Sequence, residues 1–192
     1  HCTFLNDANA GAFAEGIGSD LPSSFFYLSL SNTVGGAIFH DGNLLPGDAF
    51  RCGEAGHMTL IPDGKPCYCG KTGCVDAYCS ARLLSDLSGG RLEDFFLGLQ
   101  QNNPDYRSVW DTYLKHLAVV INNLHMLLDY DIVLGGYVGS FLTPWLDTIR
   151  HLVAERNTFE DDGSFVKLCT YQTGAAAYGA AMDVMEEFLR TV

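Results

Sequence analysis

The chain has 192 residues, of which 47% are hydrophobic and 18% charged, a balance that suits one globular domain with a buried core and excludes a disordered or fibrous chain. A formal net charge of −12 argues against direct nucleic-acid binding, because so acidic a surface repels a phosphate backbone. No stretch approaches the ~20 apolar residues of a membrane span. The opening residues show neither an initiator Met nor a secretory pattern, so the chain reads as a cytoplasmic segment of a longer protein.

In chain order, Asn6 or Asp7 can cap a helix that Gly16 and Gly18 bring to an end. Residues 25–31 are apolar and aromatic with alternating Ser, a strand, and 34–40 read as its hairpin partner. Asp41-Gly42 then turns the chain into a short third strand. Residues 57–61 (His-Met-Thr-Leu-Ile) predict another strand, whereas 62–73 are too rich in Pro, Gly and Lys for a core element. From Val75 the apolar spacing becomes helical and predicts one helix over 75–87, stopped by Gly89-Gly90, and a second over 91–101. Pro104 opens a long third helix ending near Asp129. A buried strand (131–136), a helix (142–156), a strand (164–171) and a final helix of small residues (173–189) complete the chain. This closing alternation predicts an α/β fold with a partly parallel sheet.

The sharpest local signal is His57 followed by Cys67-Tyr68-Cys69-Gly70-Lys71-Thr72-Gly73-Cys74. Zinc takes four tetrahedral ligands, commonly thiolate sulfur and imidazole nitrogen, and Cys67, Cys69, Cys74 and His57 would close such a sphere as a structural site. The alternative is three free cysteines and a core histidine, but three cysteines in a Gly/Pro loop are hard to explain by packing. With seven cysteines and no even, spread framework, the cluster reads as a metal site rather than as disulfides. Cys2, Cys52, Cys79 and Cys169 read as plain core residues.

These motifs resemble those of the ROK family of repressors, open reading frames and sugar kinases. The family pattern Asn-Asp-Ala-Asn, small residues and a Glu is matched by Asn6-Asp7-Ala8-Asn9 and Glu15. Gly-Glu-x-Gly-His is matched by Gly53-Glu54-Ala55-Gly56-His57, the cysteine motif by Cys67 to Asp76, and the adenosine-side Gly-Gly motif by Ile132-Val133-Leu134-Gly135-Gly136. The resemblance implies a ribonuclease-H-like, actin-like ATPase fold. Residues 1–192 would be the C-terminal half, for sugar binding and oligomerisation, with a zinc loop at about 57–74 and the N-terminal half and any helix-turn-helix lying outside this chain. It implies sugar binding by Asn6, Asp7, Glu54, His57 and Asp76, with Asp7 as general base if the parent is a kinase. For Asp7 a helix cap, and for Glu54 a solvated surface carboxylate, are the competing roles.

Two departures from the family bear on function. The phosphate motif Gly-Thr-Gly reads Ser31-Asn32-Thr33 here, followed by Val34-Gly35-Gly36. Glycines in such a loop let backbone N–H groups approach phosphate. With Thr33, Gly35, Gly36, Gly135 and Gly136 as degenerate ATP motifs, the case for ATP is weakened. The family Glu after the last cysteine is Asp76, one methylene shorter. The first expectation is therefore the effector domain of a sugar-sensing transcriptional regulator, binding a hexose or N-acetylhexosamine, with DNA contacted only through a missing N-terminal domain. The alternative is the C-terminal half of an ATP-dependent sugar kinase. A homodimer or homotetramer is expected in either case.

Overall fold

The run Phe25-Phe26-Tyr27-Leu28 is apolar at every position, which suits a strand covered on both faces. The computed structural model, which describes residues 5–191, places it so. β1 (Phe25–Leu30) is the central strand of a five-stranded mixed sheet. It pairs antiparallel with β2 (Val34–His40), which pairs antiparallel with β3 (Asn43–Leu44). On its other side β1 runs parallel to β4 (Asp131–Gly135), and β4 parallel to β5 (Val166–Leu168), giving the order β3-β2-β1-β4-β5.

Successive side chains of β1 feed two cores, as the two-residue period of a strand requires. Phe26, Leu28 and Leu30 join Ile132, Leu134 and Val166 against the larger helical layer. That layer holds α2 (Asp76–Cys79), α3 (Ala81–Ser85), α4 (Leu92–Gln100), α5 (Pro104–Leu128), α6 (Gly136–Gly139) and α7 (Leu146–Ala154). Trp110, Tyr113, Leu114, Leu117 and Ile121 of α5 are buried there. Asn103 caps α5, accepting from the N–H groups of Asp105 and Tyr106, and Asp129 ends it in the left-handed region. On the other face Phe25, Tyr27, Ala37, Phe39 and Val133 pack with α1 (Asp7–Gly18) and with Met182 of α8 (Ala175–Thr191). The small side chains of Ala8, Ala10, Gly11 and Ala12 let α1 lie close to its neighbours. Among the described residues no helix is long and apolar enough to cross a membrane.

Four sequence expectations are corrected by tertiary contacts. Residues 57–61 form no strand. A 3-10 turn (Ala55–His57) ends there, Thr59 makes one isolated bridge to Cys74, and the Val75 N–H donates to the Met58 carbonyl, so the segment closes the cysteine loop instead of joining the sheet. The single helix over 75–87 is broken at Ser80, which is extended (φ −76°, ψ 152°), because the Ala81 N–H donates to the Ser31 carbonyl at 2.7 Å. The strand over 164–171 is confined to β5, because Thr170 and Tyr171 turn away to bond a buried carboxylate. The helices at 142–156 and 173–189 each begin with a 3-10 turn before α7 and α8 proper. Of the cysteines read as core, Cys79 and Cys169 are buried but Cys52 is only half-buried. Cys2 lies outside the described residues.

The buried carboxylate is that of Glu15, fully enclosed on α1. Its Oε1 accepts from the N–H groups of Thr170 (2.7 Å) and Tyr171 (2.9 Å), tying α1 to the β5–α8 connection. Glu15→Ala should orphan both donors and cost about 3 kcal/mol, lowering the thermal midpoint by about 6–12 °C. A calorimetric shift of only a degree or two would show that this carboxylate is not what holds the connection.

Candidate functional site

The parallel strands β1, β4 and β5 end on the same edge of the sheet, where open α/β folds place their ligands. The chain leaving them forms the walls of the site. Asn6 Oδ1 caps α1, accepting from the N–H groups of Ala8 (2.9 Å) and Asn9 (3.3 Å), which resolves the choice between Asn6 and Asp7 as cap. Asp7 is thereby presented exposed in the first helical turn. Its Oδ1 accepts from the Ala8 N–H, and Oδ2 has no hydrogen-bond donor among the described residues.

Asp7 lines a cavity of about 120 Å³ together with Tyr27, Ser29, Ser31, Gly136, Gln172 and Thr173. Burial holds the Tyr27 hydroxyl well above the usual phenol range. Gly136 has φ +76°, and a Cβ there would lie 2.7 Å from the Leu30 backbone, so only glycine lets β1 and the β4–α6 turn approach this closely. A second cavity, of about 280 Å³, shares Tyr137 and Thr173 with the first and is lined further by Asn32, Ser85, Leu92, Glu93, Ser140 and Phe141.

The loop between β1 and β2 departs from what its sequence predicts. Ser31, Asn32 and Thr33 all lie outside the positive-φ region, so Ser31 and Thr33 stand in place of the two glycines without backbone strain. The Ser31 hydroxyl is 3.2 Å from that of Ser29 and borders the 120 Å³ cavity. Thr33 faces away, into a third cavity beside the cysteine loop. Gly36 serves packing: a Cβ there would meet the Gly53 carbonyl at 2.6 Å, so β2 and the loop carrying Glu54 touch backbone to backbone. Gly35 sits opposite Ser29 in the sheet, and Gly135 ends β4 against the Tyr27 ring.

The second group of residues gathers around the cysteines. The ligand atoms of His57, Cys67, Cys69 and Cys74 all lie within 4.8 Å of one another. The Cys69 and Cys74 sulfurs are 3.8 Å apart, about the edge of a tetrahedron built on zinc–sulfur bonds of ~2.3 Å. The donor set and its spacing therefore fit a closed tetrahedral ion. The Lys71 N–H pulls the Cys69 thiol below its ordinary range, while burial pushes that of Cys74 up to about 11. Tyr68, between two of the cysteines, places its hydroxyl 3.2 Å from His57 Nε2. Its own proton is held by partial burial and by the nearby carboxylates of Asp76 and Glu54.

Glu54 and His57 are exposed, flanking the 3-10 turn. Asp76 is buried, and its Oδ1 accepts from the Val34 N–H at 2.6 Å. The structure thus gathers Glu54, His57 and Asp76 at the cysteine loop and places Asp7 at the sheet edge, and residues 31–34 connect the two groups. Sequence reasoning missed Tyr27, Tyr68 and the anchoring role of Glu15. Tyr68 had one local signal, its position between two cysteines. The other two reach their partners only through the fold.

The ROK family model matches residues 1–187 of the chain. An N-acetylmannosamine kinase of Escherichia coli O7:K1 is 32% identical over 96% of this chain and 65% of its own length. The same-named enzyme of Vibrio cholerae serotype O1 is 31% identical over 71% of this chain and 50% of its own. The chain therefore spans between about half and two thirds of these relatives. In fold it is similar to the ROK hexokinase of Thermus thermophilus (TM-score 0.74, 24% identity, 95% of this chain and 65% of that one). It is equally similar to a ROK family transcriptional regulator, a homologue of the E. coli MLC protein (TM-score 0.73, 23% identity, 92% and 51%).

Proposed function

The chain belongs to the ROK family, and from that premise we propose that it is the C-terminal part of an ATP-dependent sugar kinase acting on a hexose or N-acetylhexosamine. This reverses the order in which the sequence ranked the two readings. The curated relatives named above are kinases, whereas the likeness to kinases and to a regulator in fold is about equal and does not choose between them.

One observation carries the proposal: Asp7 is exposed and lines a small cavity together with Gly136, and its Oδ2 meets no donor among the described residues. Asp7 Oδ2 would take the proton from a sugar hydroxyl as that oxygen bonds to the γ-phosphorus of ATP and the bridging bond to ADP breaks. The 120 Å³ cavity would receive the transferred phosphoryl group, and the adjoining 280 Å³ cavity the nucleoside. Glu54 would orient the sugar, its carboxylate accepting from the hydroxyls, and His57, bonded to the Tyr68 hydroxyl, would flank it. Asp76 would contribute through its remaining oxygen. Zinc held by His57, Cys67, Cys69 and Cys74 would be structural, fixing the imidazole through one nitrogen.

A second reading rests on Ser31 and Thr33, which set side chains where kinases of this family have the two glycines of Gly-Thr-Gly: the chain would be the sugar-sensing part of a regulator. The test is ADP release by the full-length protein with ATP and a panel of glucose, N-acetylglucosamine and N-acetylmannosamine. Sugar-dependent ADP release is expected. Sugar binding in calorimetry with neither ATP binding nor ADP release would replace the kinase with the regulator.

A further inference from the structure

A third cavity, of about 520 Å³, opens between the β1–β2 loop, the cysteine loop and α2–α3. Its volume falls in the range of small-molecule sites, ~300–1,000 Å³. It meets the monosaccharide constellation at Asp76 and borders the cavity assigned to the nucleoside at Asn32, but shares no residue with the 120 Å³ cavity of Asp7.

The lining selects among ligands. Tyr68 is 63% exposed, so its ring offers an aromatic face while its hydroxyl is held at His57. Leu83 adds apolar surface, and Asn32, Arg82 and Asp86 add a mixture of donors and acceptors. Arg82 and Asp86 lie 4.0 Å apart, and Asp76 is on the same wall, so the cavity has no excess of positive charge to hold an anion. A purely apolar ligand would leave the amide, guanidinium and carboxylates without partners. A sugar ring satisfies both kinds of surface: C–H faces pack on an aromatic ring, and each hydroxyl donates and accepts at once.

We propose that this cavity is a second carbohydrate subsite, so that the protein's preferred ligand is a disaccharide or glycoside whose distal ring rests on Tyr68 and bonds Asn32, Arg82 and Asp86. The proposal rests on the reading of Glu54, His57 and Asp7 as the site of the first ring. Tyr68 then links the rings, touching the imidazole of the first subsite and walling the second.

Calorimetry on the full-length protein tests it, pairing glucose with maltose and cellobiose, and N-acetylglucosamine with its β-1,4-linked dimer. At least one disaccharide should bind about tenfold more tightly than its monosaccharide. Arg82→Ala and, separately, Asp86→Ala should remove most of that advantage while leaving the monosaccharide affinity within about twofold. Monosaccharide binding with no disaccharide advantage, or variants that weaken both ligands equally, would overturn the second subsite alone. Failure of every sugar to bind would overturn the first subsite and this one with it.

Discussion

Asp7→Asn should lower the turnover of sugar-dependent ADP release by about 10²–10⁴-fold, the usual contribution of a positioned general base. The substitution is close to isosteric. The amide oxygen can still accept from the Ala8 N–H as Asp7 Oδ1 does at 2.9 Å, so the first turn of α1 should keep its shape. What changes is the atom facing the cavity, where an oxygen that can take a proton becomes an NH₂ that cannot. A carboxylate in a helix's first turn also interacts favourably with the helix dipole, typically by about 0.3–1 kcal/mol, so the thermal midpoint should fall by only a few degrees. Sugar affinity should move by less than about threefold, because an amide still bonds a hydroxyl. A loss of turnover smaller than about tenfold, with sugar affinity intact, would remove Asp7 from the base role and leave it as a ligand contact.

The second large effect is expected at the cysteine loop. Purified protein should contain stoichiometric zinc by mass spectrometry, and Cys67→Ser should lose it. The loop over 62–73 has little apolar material of its own; its cohesion comes from bonds such as Cys67 N–H to the Lys71 carbonyl (2.8 Å), to which a bound ion would add. Losing a structural metal belongs with the most destabilising single changes, on the order of 4 kcal/mol, or about 8–16 °C in this size range. Sugar affinity should fall about tenfold or more, because His57 would lose the partner that fixes its ring. Cys52→Ser, outside the cluster and half-buried, is the control and should retain the ion. Wild-type protein purified without zinc, or a Cys67→Ser variant as stable as its parent, would return the cluster to ordinary packing.

Much of the architecture was legible because it is encoded locally. The hairpin partner over 34–40 is found unchanged as β2, since a strand of alternating burial followed by Asp41-Gly42 carries its own register and stop. The long helix from Pro104 is likewise found, since its apolar stripe and both caps are written in its own residues. What failed was decided at long range. His57-Met58-Thr59-Leu60-Ile61 has the composition of a strand but answers to Cys74 and Val75, with which it closes a loop. The helix from Val75 has uninterrupted helical spacing, and nothing within it announces that Ser31 will capture the Ala81 N–H. For the site, the gathering of His57 with Cys67, Cys69 and Cys74 could be read from the sequence, because all four belong to one short stretch of chain. The geometry around Asp7 could not, because Tyr27, Gly136 and Thr173 arrive from three well-separated parts of the chain.

The segment from Asp76 to Ala81 acts as a splint. It grips the β1–β2 loop at both ends, through Asp76 to the Val34 N–H and through the Ala81 N–H to the Ser31 carbonyl. A loop held from outside does not need its own residues to define its path. The side chains at Ser31, Asn32 and Thr33 can then differ from Gly-Thr-Gly without strain in the backbone. The residues of that loop are then a weaker guide to its path than the splint, which begins only two residues beyond Cys74.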